Sequence, residues 1–179
     1  MKKLLLYLLY IIGLQLITAF ITSAQTSLWF NFFGSLAGPM LWLLILVYIN
    51  LYKKPVEAIL LSYFVGIQIY YFGWIPIGFL FSLILILFAL TWLVKERIFW
   101  PGHSYFIYAS IASVVAYHFL YITFSWGLET IHVKEFNLLD RIFQCLITPI
   151  FAVPVFYTLK LLERLTDQTP LIETGEYQL

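Results

Sequence analysis

His118 and Gln68 are the side chains whose type and place give this sequence its openings for chemistry. His118 sits inside the apolar run "YASIASVVAYHFLYITF", where a neutral imidazole would relay a proton, hold a ligand, or hydrogen-bond a neighbouring Tyr, Ser or carbonyl. Gln68 is the most polar residue between Ala58 and Val94, and its amide would bind a ligand or tie two helices together. The other two histidines, His103 and His132, fall in segments expected at opposite membrane edges, so the three do not converge on a metal. Cys145 is the single cysteine, which excludes an intrachain disulfide and any multi-cysteine metal site. Glu57 follows Pro55, the order expected in the first turn of a helix, where a carboxylate favours the helix dipole. There is no G-x-S-x-G elbow, H-E-x-x-H pair or pair of intramembrane carboxylates. No catalytic residue, metal or cofactor is therefore expected, and a coupled carrier would keep more buried charge on its path.

The solvent for these residues follows from composition. The chain has 179 residues, is 63% hydrophobic and 11% charged, and has a mean hydropathy of +0.93. That balance belongs to an integral membrane protein. A formal net charge of +1 provides no basic excess for nucleic acid or anionic lipid.

Uninterrupted apolar runs without alternation favour helices, so the expected fold class is an all-α integral membrane protein with six transmembrane helices. The first, Leu4 to Ile21, is too long for a usual signal-peptide core and is read as an uncleaved span, over the alternative of a cleaved leader. The polar, glycine-bearing segment from Thr22 to Pro39 is expected to separate it from a second span ending near Tyr52. The run 58 to 94 holds spans three and four, broken at "GWIP" from Gly73 to Pro76. Span five is expected from Tyr105 to Trp126 and span six from Leu138 to Leu162, with Asn137 and Asp140 placed to cap it and Pro149 and Pro154 to kink it.

Basic residues support this count. Lys2, Lys3, Lys53, Lys54, Lys95, Arg97, Lys160 and Arg164 fall on one side of a six-span path, and only Lys134 and Arg141 on the other. Both termini are thereby expected in the cytoplasm. Trp29, Trp42, Trp74 and Trp126 are expected near the outer boundary, Trp92 and Trp100 near the inner one. Residues 1–165 form one transmembrane domain, and the acidic segment 166–179 is expected to be a disordered cytoplasmic tail. The outer loop from Gly127 to Asn137 is the one sizeable polar exterior segment, read as solvated or as touching a periplasmic partner.

Small residues recur at helical spacing: Ala58, Ser62 and Gly66, then Tyr70, in span three; Ala109 with Ser113 and Ala112 with Ala116 in span five; Gly34 and Gly38 before span two. Lipid provides no hydrophobic drive for helix pairing, so such stripes mark close approach. The approaching helix belongs either to the bundle itself or to a partner.

The passages "PMLWLLILVYINLYKKPVEAILLSYFVG", "GIQIYYFGWIPIG" and "PVFYTLKLLERL" together resemble the rod-shape-determining protein MreD family over nearly the whole chain. That family's hairpin usually reads G-x-x-x-D-x-x-x-G-x-x-x-G. Here Gly66 and Gly78 match, Tyr70 stands at the aspartate position, Trp74 at the middle glycine, and Gly73 is displaced by one. The resemblance implies a fold similar to the substrate-binding subunits of energy-coupling-factor transporters. It also implies a non-catalytic scaffold of the bacterial cell-elongation machinery in the cytoplasmic membrane, with MreC as partner and possible links to MreB, RodA and its partner transpeptidase. Ala58, Ser62, Gly66, Tyr70, Gly73 and Gly78 are then the helix-contact candidates. The alternative is a membrane subunit that captures a small molecule or lipid for a transporter of that type.

Overall fold

The structure is a computed structural model that describes residues 2–33, 37–72, 77–97, 103–128 and 138–168. Its described elements are all helical: α1 (Lys2–Phe33), α2 (Leu41–Tyr52), α3 (Pro55–Phe72), α4 (Ile77–Arg97), α5 (His103–Leu128), α6 (Leu138–Ile147) and α7 (Ala152–Leu165), with a 3-10 turn, Thr148–Phe151, joining the last two. Among the described residues, four stretches are long and apolar enough to cross a membrane: Lys3–Gln25, Ile77–Lys95, His103–Phe124 and Leu138–Leu165. The protein is a helical membrane protein.

The first helix runs further than expected. The polar stretch after Ile21 contains no glycine or proline before Phe33, and the hydroxyls of Thr18 and Thr22 bond back onto the helix and so do not compete with it. Thr18 Oγ1 donates to Leu14 O at 2.8 Å and Thr22 Oγ1 donates to Thr18 O. The non-helical part of the expected break is confined, among the described residues, to Ala37–Met40.

The second helix is the centre of the bundle. It has only 12 residues, about 18 Å at about 1.5 Å per residue, against about 30 Å of hydrocarbon. Every residue from Trp42 to Tyr52 is buried, and α1, α3, α4, α5 and α7 all pack around it. Trp42 is accordingly a core ring, edge-on to Tyr117 at 5.4 Å between centroids. Backbone at the start of α2 needs partners from protein, because lipid has none to offer. Thr148 Oγ1 accepts from Met40 N–H at 3.0 Å, and Gln144 Nε2 donates to Gly38 O at 3.1 Å. Trp29 covers the same segment, since a Cβ on Gly38 would lie 3.2 Å from its ring.

Pro55 starts a helix as read from the sequence, whereas the last span, expected to be one kinked helix, is two helices joined at Pro149. Pro55 is the first residue of α3, with Glu57 in its first turn, so only Lys53 and Lys54 separate α2 from α3. Asp140 occupies the first turn of α6, whereas Asn137, the "GWIP" turn, most of the outer loop and residues 169–179 of the expected tail lie outside the described residues. Pro149 stands in the 3-10 turn that interrupts the last rod, and Pro154 falls in the first turn of α7, where its missing N–H is tolerated.

Gly66 brings α3 against α4. A Cβ there would lie 2.5 Å from Ile84 Cδ1 and 3.1 Å from Phe81 Cε1. We expect Gly66→Leu to destabilise the isolated chain by about 1–3 kcal/mol through overpacking. An earlier midpoint in detergent-induced unfolding would register it, and an unchanged midpoint would mean that α3 and α4 do not meet at this glycine.

Candidate functional site

Three helices carry buried stripes that end in an ionisable or hydrogen-bonding group at one end of the bundle. On α7 the stripe is Ala152, Val155, Phe156, Leu159 and then Glu163; on α4 it is Leu80, Ile84, Leu87, Thr91 and then Lys95; on α1 it runs back through Thr18 and Leu14 to Tyr10. All three meet the end of α2. The Lys53 ammonium lies 2.9 Å from Glu163 Oε1, with side-chain exposures of 5% and 1%. Tyr48 donates its hydroxyl to Glu163 Oε2 at 2.7 Å, and Lys53 Nζ stands 4.3 Å from the centre of the Tyr10 ring, a cation over an aromatic face.

The second lysine serves the backbone. Lys95 Nζ donates to Asn50 O at 3.4 Å and to Lys53 O at 3.3 Å, placing a cation at the carbonyl end of α2. Ser62 of α3 donates to Asn50 Oδ1 at 3.1 Å, which binds α3 to the same end. Glu163 itself is fixed by the way α7 stops. Gln168 N–H donates to Glu163 O at 2.8 Å and Asp167 N–H to Arg164 O at 3.3 Å, with Asp167 at φ 54, so the helix closes in a Schellman motif directly after the carboxylate. The cluster is compact, almost dry, and occupied by its own members. Chemically it joins four helices electrostatically.

The sequence-predicted residues are distributed differently. Ala58, Ser62 and Gly66 are buried within the bundle, while Tyr70 and Gly78 are exposed, and a Cβ on Gly78 would meet nothing within 4 Å. Gly73 lies outside the described residues. Gln68 ties helices together: its Nε2 donates to Gln15 O of α1 at 2.9 Å. His118 is buried and packs edge-on to Tyr117 at 5.5 Å, but among the described residues neither ring nitrogen makes the hydrogen bond expected of it.

Sequence reasoning missed Glu163, Tyr48, Tyr10 and Asn50, and it placed Lys53 and Lys95 among the charges of the aqueous edge. Both lysines are 4% exposed. A signal was present for two of these residues, since Glu163 and Lys95 continue the helical stripes of apolar residues that precede them.

The described structure contains one further feature of note, a cleft of about 220 Å³ between α4 and α5 that is lined almost wholly by apolar side chains and opens sideways. Comparison of the chain with protein-family models, with curated proteins and with solved structures found no match.

Removing one partner of a buried ion pair strands the other, at a cost of about 3–5 kcal/mol, whereas replacing both with apolar residues is often close to neutral. Glu163→Ala is expected to destabilise by that amount, and Lys53→Met with Glu163→Leu to recover most of it. Unfolding midpoints in mixed micelles check this, and additive losses in the double variant would mean that the two groups do not interact.

Proposed function

We propose that this protein is a non-catalytic membrane scaffold of the bacterial cell-elongation machinery, related to the rod-shape-determining protein MreD. In this reading it lies in the bacterial cytoplasmic membrane with six spans and both termini in the cytoplasm, in an arrangement similar to the substrate-binding subunits of energy-coupling-factor transporters. It binds MreC and, directly or through it, MreB, RodA and its partner transpeptidase, so that wall synthesis follows cell shape.

The observation that carries this reading is where the charge goes. The buried ion pair at the end of α2, Lys53 with Glu163, is joined within the fold by Tyr48, while Lys95 binds backbone carbonyls there. The cleft between α4 and α5 offers apolar walls. A small polar substrate needs convergent polar groups in a concave site, and a helix-binding scaffold needs packing surface. The segment above α2, where a captured molecule would enter from outside, is occupied by Trp29, Gln144 and Thr148. Orientation is supported by the same end of the bundle, which carries exposed Lys3, Lys54, Arg97 and Arg164. The short α2 serves as the second crossing because residues 37–40 reach down to it inside protein.

A mild-detergent pull-down of the tagged chain from its native membranes, with mass spectrometry of what co-purifies, tests the proposal. The expected result is a single-span coiled-coil periplasmic protein together with wall-synthesis enzymes. Recovery of a pair of cytoplasmic ATPases with a coupling membrane subunit would overturn it in favour of a transporter's binding subunit.

A further inference from the structure

Among the described residues His118 is the one buried imidazole, 7% exposed, and neither its Nδ1 nor its Nε2 has a hydrogen-bond partner. A neutral imidazole carries one N–H donor and one bare acceptor nitrogen, and buried polar groups in native proteins are normally completed. An ionisable side chain left open at membrane depth points to something that completes it.

Its surroundings lie at the end of the bundle away from Lys53 and Glu163. His118 packs against Tyr117, whose ring stands edge-on to Trp42 at the start of α2. Tyr117 lies 6.1 Å from Tyr121, which meets Phe79 near the start of α4. The Arg141 guanidinium of α6 sits 4.6 Å over the Tyr121 ring, and its charge reaches both Tyr117 and His118. The apolar stretch of α5 ends at Phe124, six residues beyond His118, which is about 9 Å along the helix. Arg141 stands three residues inside the stretch that opens at Leu138, about 5 Å from the same boundary. Long basic side chains at such depths extend to the headgroup layer.

The chemistry of these two residues selects an occupant. The imidazole N–H needs an acceptor, the neighbouring cation favours a negatively charged one, and the bare nitrogen needs a donor. An acyl chain offers none of these, and water lacks the charge. An ethanolamine headgroup brings an ammonium towards Arg141, whereas a headgroup with phosphate oxygens and free hydroxyls meets every need. We infer that His118 and Arg141 form a seat between α5 and α6 for the phosphate of an anionic lipid with a hydroxyl-bearing headgroup. Such a seat does not depend on which partner the protein binds.

Native mass spectrometry of the chain released from nanodiscs of equal parts phosphatidylcholine and phosphatidylglycerol tests this. The wild-type chain is expected to retain phosphatidylglycerol in preference, and His118→Phe and Arg141→Gln each to reduce that retention about tenfold. His118→Gln, which keeps a donor and an acceptor, is expected to stay within about threefold of wild type. Lipid held by the exposed basic residues at the other end is common to all these chains and cancels in the comparison. Equal retention of the two lipids by the wild-type chain overturns the inference, as does unchanged retention in His118→Phe or an equal loss in His118→Phe and His118→Gln. In nanodiscs of phosphatidylcholine alone, a rise in unfolding midpoint on adding inorganic phosphate that is lost in His118→Phe would assign the seat to a free anion and overturn the lipid.

Discussion

An ammonium group held inside a lipid-solvated bundle needs a counter-charge close by, and Lys53 follows the last turn of a helix with no exposed face along Trp42–Tyr52. Glu163, 2.9 Å away, meets that need. Much of the described architecture can be read as what brings this carboxylate to the end of α2. The last rod bends through the 3-10 turn at Thr148–Phe151, whose first residue also holds the start of α2 through Met40, and it stops in a Schellman motif just beyond Glu163. The last rod thus grips both ends of α2. Lys95 from α4 and Tyr10 from α1 close the remaining sides.

This arrangement explains how a helix about 18 Å long serves as the axis of a membrane bundle. Its own length does not match the bilayer, so its ends lie within protein and their polar groups are met by side chains from other helices. The Thr148 hydroxyl at one end and the Lys95 ammonium at the other do for α2 what headgroups and water do for a full-length span. Between them lie aromatic contacts, with Tyr48 5.9 Å from both Phe106 and Phe156. At the end of α2 the buried charges act as a fastening, while many of the exposed side chains on the described helices are large and apolar.

Much of the fold was legible because the punctuation is strong. Pro55, Pro149 and the long apolar runs place the ends of α3 through α7 within a few residues, and Glu57 behaves as a first-turn carboxylate. The extension of α1 to Phe33 was not legible from polarity alone, because Thr18 and Thr22 satisfy their hydroxyls within the helix and so remain compatible with it. Lys53 looked like a loop residue because a two-residue connection in sequence carries no sign of its depth. Glu163 was readable in principle, four residues beyond Leu159 on the buried stripe, but a basic, charged helix end draws attention to the net charge and away from the face. The small residues divide likewise: Gly66 faces α4, while Ala112 lies on an open rim, and only packing tells these two apart.

Lys53, Lys95 and Glu163 at the end of α2 are used up inside the fold. Lys53 and Lys54 are neighbours in sequence, one buried and one exposed, so each is a control for the other. Labelling the purified chain in nanodiscs with an amine-reactive reagent, followed by peptide mass spectrometry, measures this directly. Rapid modification of Lys54 and protection of Lys53 until the bundle is unfolded are expected, and modification of both at the same rate would mean that Lys53 is open to solvent and not held by Glu163.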